Sequence, residues 1–578
     1  MKRILAFVLC LMMICTLLAG CASKDENDKG AVIRTYMTSN IYNFDPVYAY
    51  TDDAATKLMG MIYEGLFRLS SSGKVEKALC KSYKIVEDEE KEEYKMQVTI
   101  NDTGWSDGRE VTVDDIVFAW KRILDPEFSC SFASMLFDIK NAKNYKNGDC
   151  SPDDVGLYPV DTKVLEIYFE GQINYDLFIE NLCSPLLVPL REDVCSKAEQ
   201  WASNVAVMTA NGPFAVRSFV PGEKMALQRN AYYYRDNNKD DEDKVVRPYR
   251  IYIDLSEGAD KQLEAYNNGE LFYNSEISLI SREDWSKVAK TIDMKNVHTY
   301  YFNTQKEIFA KKEVRQALSM ALDRQAIADI AVFAKPASAL ITEGVFETSR
   351  SNSFRKKGGD LISVSGDVDG AKALLKKAGV SGGSFEISIR DNEVDEAIAK
   401  YAKEVWSGLG FTVSIKKLGA VKQTNEKEYE IYVDKFEQAF KTGDFDVAAI
   451  DLQMFSTDAF STLSGFAVGY SGTALNLSDE AGGGWELKPG VTGYNSEEYN
   501  KLINEAFEQG SNRAKRSEIL HEAEKLLLDD MPVTPLITLQ NAYVSKNLSK
   551  LSFDFYGCPV FTKVKLKNYE LYTDAEKK

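Results

Sequence analysis

The sequence predicts an α/β protein built as more than one lobe. Runs rich in β-branched and aromatic residues alternate with amphipathic helical runs along most of the chain. At 578 residues the chain is long enough for two to four domains or lobes. An apolar fraction of 44% with 27% charged residues is that of a folded globular chain.

The elements follow in chain order. Val32–Tyr36, Tyr94–Ile100, Val164–Phe169, Met225–Gln228, Arg250–Ile253 and Phe385–Ile389 read as strands. Thr112-Val113-Asp114-Asp115 has the form of a capping box, in which Asp115 reaches back to the amide of Thr112. Ile116, Trp120, Ile123 and Leu124 then share one helical face, and Pro126 ends the run. Further helices are expected over Val314–Ala328, Gly370–Ala378, Ala397–Leu409, Ser496–Gln509 and Arg513–Asp529. Turns are expected at Asp107-Gly108, Asn211-Gly212-Pro213, Pro221-Gly222 and Asn268-Gly269.

Residues 1–20 read as a leader rather than as part of the fold. Lys2 and Arg3 precede an uncharged apolar run from Ile4 to Ala19, and small residues follow. The run is short of the ~20 residues that cross a bilayer comfortably. Leu18-Ala19-Gly20-Cys21 resembles a lipobox, which implies cleavage before Cys21 and acylation of its sulfur; an ordinary leader with an incidental Cys21 is the alternative. Residues 21–30 are polar and have the composition of a flexible tether. The protein is thus expected at the cell membrane, lipid-anchored on the extracellular face, or on the periplasmic side of a host with an outer membrane.

Charge and composition narrow the chemistry. The net charge of −18, or −20 without Lys2 and Arg3, disfavours nucleic acid as a partner. Cys80, Cys130, Cys150, Cys183, Cys195 and Cys558 remain after the leader and Cys21, and free thiols or one or two disulfides are both open. The chain has two histidines, His298 and His521, and neither lies in H-E-x-x-H. There is no G-x-S-x-G and no G-x-x-x-x-G-K-[ST]. Asp236–Asp241 begins like a calcium loop, but it lacks the glycine at position six and has Arg247 at position twelve. No enzyme activity, metal or cofactor is expected.

A series of motifs in fixed order resembles the family-5 extracellular solute-binding proteins, the oligopeptide-binding components of ABC importers. Asn43-Phe44-Asp45-Pro46 is similar to the family's early L-D-P, and Glu64-Gly65-Leu66 to its E-G-L. Trp105-Ser106-Asp107-Gly108 with Val111–Asp115 resembles W-S-D-G-x-x-V-T-A-x-D. Asn211-Gly212-Pro213-Phe214, Leu227–Tyr233, Tyr300–Asn303, Val314–Arg324 and Ala371–Gly379 match later family motifs. The resemblance implies a two-lobed, periplasmic-binding-protein-like (type II) flytrap with an extra inserted domain. Lobe I would comprise 31–68, 206–300 and 533–578, the extra domain 69–205 and lobe II 301–532. It implies a monomer that closes by a hinge on a peptide held through its backbone, and delivers it to a permease and ATPase complex. A surface receptor or adhesin, a signalling-peptide sensor, and a binder of a non-peptide solute are the alternatives on the same fold.

The resemblance breaks at the ligand site. The family's F-D-x-x-x-x-G-W-x-A-D supplies an Asp that pairs with a peptide amino terminus, and here that position is Phe455. Either Asp458, the preferred candidate, or Asp451 replaces it, or the ligand has no free amino terminus there. Asp458, Phe455, Asp45 and Asn211 are therefore the candidate ligand-binding residues, and Cys21 the lipidation site.

Overall fold

The computed structural model describes residues 31–38, 41–196, 201–234, 246–256, 259–424, 430–477 and 484–567. The leader, Cys21, the tether and the calcium-like segment lie outside the described residues.

Strands form one path in the order Phe411–Leu418, Gly383–Arg390, Val447–Gln453, Asn296–Phe302, Val533–Ser545, Tyr273–Asn274, Val32–Tyr36, Arg250–Asp254, Lys224–Arg229, Phe214–Val220. Val533–Ser545 belongs to both halves of this path. Val533–Ile537 pairs with Asn296–Phe302, whereas Gln540–Tyr543 pairs with Lys290–Asp293 and Val544–Ser545 with Tyr273–Asn274. Its sequence supports this, being Val-, Ile-, Leu- and Thr-rich and buried along most of its length. Pro535 donates no amide to the ladder, and the register shifts beside it, between His298 and Thr299.

Two main cores flank this path. Tyr300, Phe302, Phe385, Ile387, Ala449 and Trp406 form a core on the half of the path that runs from Phe411–Leu418 to Asn296–Phe302. A larger core runs from Ile33 and Phe44 through Trp105 and Trp120 to Phe455, Phe460 and Leu520. Within the 69–205 stretch lies a separate antiparallel sheet in the order Cys80–Asp88, Glu93–Ile100, Val164–Tyr168, Leu157–Asp161.

All six expected strands are present, with ends moved by one or two residues. The helix expected over Val314–Ala328 is instead two, Lys312–Met320 and Arg324–Ala331. Asp323 breaks it, because its carboxylate caps the second helix by accepting the Ala326 amide at 2.9 Å. The division at 300/301 falls inside Asn296–Phe302, and that at 532/533 falls at the head of the shared strand. All six described cysteines are free.

Candidate binding site between the two sheets

Each half of the path contains parallel strands. Val32–Tyr36 runs parallel to Arg250–Asp254 and Tyr273–Asn274. Gly383–Arg390 runs parallel to Phe411–Leu418 and Val447–Gln453. Open parallel sheets take ligands in the crevice beyond the carboxyl ends of their strands. One sheet leads there into Glu276 and the helix Asp53–Ile62, the other into Asp451, Gln453 and the helix Glu393–Ser407. Polar side chains of the two halves meet there.

Lys57 contacts Asp53 at 3.0 Å and Glu276 at 3.5 Å, its side chain only 6% exposed. Burial disfavours the lysine's charge, but the two carboxylates outweigh it and raise its pKa. Burial raises the pKa of Asp53; Lys57 opposes this, and Asp451 from the other half adds to it. His298 Nδ1 lies 2.7 Å from Asp451 and 4.0 Å from Asp395. Burial lowers the imidazole pKa, yet Asp451 and then Asp395 carry it above the ordinary value. Burial holds Asp395 well above the usual carboxylate range, against the pull of His298. Asp53 Oδ1, His298 Nε2 and both polar atoms of the Gln453 amide are buried with no hydrogen-bond partner in the protein.

The backbone of Val447–Gln453 adds a second feature. The Met454 amide donates to the Lys295 carbonyl at 2.7 Å, and Asn296 and His298 lie opposite Gln453 and Asp451. Antiparallel ladders alternate hydrogen-bonded and non-hydrogen-bonded pairs, so the N–H and C=O of Asp451 and Gln453 point away from Asn296–Phe302. On that edge the pairing with Gly383–Arg390 covers Val447 and Ala448 alone. The carboxyl half of the strand thus presents a main-chain edge beside the polar cluster. Contacts between the halves frame it. Asn43 donates to Glu437 at 2.7 Å, the Leu279 amide donates to Glu393 at 2.8 Å, and the Lys441 ammonium lies 3.2 Å from the centre of the Tyr48 ring.

The four candidate residues lie elsewhere and are engaged internally. Asp45 is buried and pairs with Arg122 of the helix Val113–Leu124. Asn211 is buried, accepting the Glu64 amide at 3.1 Å and donating to the Glu64 carbonyl at 2.8 Å. Gly212 beside it is obligatory, since a Cβ there would stand 2.6 Å from the Ile62 backbone. Phe455 is sealed against Phe132 and Tyr556, with ring centroids 6.3 and 5.7 Å away. Asp458 is buried and held by Arg516 at 2.8 Å. Asp451, the alternative to Asp458, is in the cluster. Asp53, Lys57, Glu276, Asp395, His298 and Gln453 were not singled out as ligand-binding from the sequence. The available signal was a carboxylate and an amide interrupting the apolar run Val447-Ala448-Ala449-Ile450-Asp451-Leu452-Gln453.

Residues 74–472 match the family model of bacterial extracellular solute-binding proteins, family 5 Middle.

The chain belongs to that family.

This family-5 solute-binding protein is 25% identical to the oligopeptide-binding protein OppA of Bacillus subtilis, over 93% of this chain and 94% of that one. It is 24% identical to the dipeptide-binding protein DppE of the same organism, over 87% and 86%. The solved structure of Listeria monocytogenes OppA bound to peptide superimposes with a TM-score of 0.74, at 22% identity, covering 93% of this chain and 99% of that one. The fold is thus the two-lobed α/β type II architecture expected from the motifs.

Proposed function

We propose that this family-5 solute-binding protein is the extracellular capture component of an ABC importer, and that it closes its two lobes on a peptide for delivery to a permease. The observation that carries this reading is the free main-chain edge at Asp451–Gln453, flanked by polar groups from both halves. An extended backbone adds to such an edge as a further strand, which gives affinity with little regard to side chains. A ligand touching both lobes stabilises the closed state over the open one. The relatives named for oligopeptide and dipeptide binding support the reading.

In this reading residues 1–20 are removed, Cys21 is acylated, and 21–30 tether a monomer to the membrane. Lobe I comprises about 31–68, 206–294 and 540–578, the inserted domain 69–205 and lobe II about 295–539; the expected limits at 300/301 and 532/533 move because Asn296–Phe302 and Val533–Ile537 pair with each other while Gln540–Tyr543 pairs with Lys290–Asp293. Intact mass spectrometry of protein purified from its own host under native conditions tests both parts. The expected result is a lipidated mass beginning at Cys21, with co-purifying peptide. Calorimetry with peptides of graded length follows. Failure to bind at any length defeats the peptide reading, and a mass without lipid defeats the anchor.

A further inference from the structure

The lobes are tied together beside the point where the shared strand changes sides, at 539/540. The helix Arg324–Ala331 and the strand Ala334–Pro336 belong to lobe II, and the strand pairs with Ile537–Leu539 just before that crossing. Only Val332 and Phe333 lie between them. Phe333 is buried in a small separate core, with Ile277 and Trp285 of lobe I and with Ala542 and Val544 from the lobe I end of the shared strand. Its carbonyl accepts the amide of Gln540, at the crossing itself, at 3.0 Å. Arg282 of lobe I reaches over from the same side. Its guanidinium donates to the Ala331 carbonyl at 2.8 Å and to the Ile277 carbonyl at 3.0 Å.

Val332 turns this corner at φ +66° and ψ −52°, and the Phe333 amide donates to the Ala331 carbonyl at 2.8 Å. Those dihedrals with that short-range bond make a γ-turn of the rare, strained kind. Of the described non-glycine residues at positive φ, Val332 alone is β-branched, and branching at Cβ makes such a backbone a genuine outlier. Strain persists only where the surroundings over-determine it. Here the surroundings are two bodies: lobe I fixes Phe333, and lobe II fixes the helix before Val332 and the strand after Phe333. A rotation of one lobe against the other is therefore absorbed at Val332 as well as at the two crossings. The structure has the lobes in contact, Asn43 with Glu437 and the Leu279 amide with Glu393, so the strained turn belongs to the closed arrangement.

We propose that Val332 is a loaded hinge: its turn is strained when the lobes are closed and relaxes when they part, which holds the solute-free protein open and makes closure depend on the solute. The proposal rests on the reading of capture by closure. Strain of this kind shifts a two-state equilibrium by roughly five- to a hundredfold. It acts on affinity through the fraction of protein that is competent to close.

Small-angle X-ray scattering of the full mature chain without solute compares wild type, Val332→Gly and Val332→Ala, with melting curves of all three. Glycine makes the turn freely, whereas alanine loses the branched methyls but keeps the Cβ that resists positive φ. Wild type and Val332→Ala are expected to scatter as the extended, open form. Val332→Gly is expected to shift toward the compact form of this structure, its closed-to-open ratio raised roughly five- to a hundredfold, and to melt above Val332→Ala. A wild type already compact without solute overturns the proposal, as does Val332→Gly scattering that matches wild type. An equal shift in Val332→Ala also overturns it, by assigning the effect to lost packing. Melting of Val332→Gly below Val332→Ala, or its failure to fold, overturns the strain itself. Calorimetry with di- to hexa-alanine keeps the two readings apart. Absence of binding by all three proteins counts against peptide capture, while the scattering has already decided the hinge without solute.

Discussion

Arg516 and Asp458 show how a side chain that looks available in sequence is consumed by the fold. Their contact is 2.8 Å and both side chains are almost sealed from water, with 6% and 5% exposed. Removing one partner strands the other charge in the interior, so Asp458→Ala is expected to destabilise the chain by about 3–5 kcal/mol. Urea unfolding measures the loss, and wild-type-like peptide selectivity in the surviving folded fraction shows that Asp458 is no ligand anchor. Asp52 is a second case. Burial pushes its pKa up to about 6, against the attraction of Arg390 and with help from Asp434. An unfolded Asp titrates near 4, so between pH ~4 and ~6 the folded chain keeps a proton that the unfolded chain has released. Stability contributed by that proton is present below pH ~4 and is lost as pH rises through ~6. Asp52→Asn, which keeps a capping oxygen for the Ala54 amide, is expected to exceed wild type by on the order of 1 kcal/mol at pH 7 and to converge with it near pH 4. Melting curves across that range decide it.

Elements with a strong local signature could be read from the residues alone. Asp115 accepts the Thr112 amide at 2.9 Å, as the capping-box pattern predicts, and also the Trp105 indole N–H at 3.0 Å, which no local pattern announces. The W-S-D-G segment and the helix after it are therefore one hydrogen-bonded unit. Asp115→Ala is expected to cost about 2–4 kcal/mol, since it orphans the buried indole N–H as well as the cap, and chemical denaturation checks this. The split at Asp323 was missed because the apolar stripe runs on through the break, whereas a capping carboxylate reveals itself only through the turn it makes. Val447–Gln453, Asn296–Phe302 and Val533–Ser545 were missed for a related reason. They are buried on both faces, so their apolar runs lack the alternation that marks a half-exposed strand. The proposed ligand edge lies on the first of these, in the segment that the F-D-x-x-x-x-G-W-x-A-D resemblance marks and where Asp451 is the alternative anchor.

At the scale of the molecule, the motif series carried the lobed architecture, while the charge cluster needed tertiary structure. Asp53, Glu276, His298, Asp395 and Asp451 come from five separate stretches of sequence, and only folding around the shared strand assembles them. That strand has an effect on the order of events in folding. A chain that emerges amino terminus first has made every other strand of the sheet path before Val533–Ser545 appears. Until then Asn296–Phe302 on one side and Tyr273–Asn274 on the other each present an edge with no neighbour. A chain ending at residue 532 is therefore expected to lose protease protection in both halves at once, rather than in one, as limited proteolysis with peptide mapping would record. Completion of the sheet path thus waits on a last segment that serves both lobes, like a zip closed from its far end.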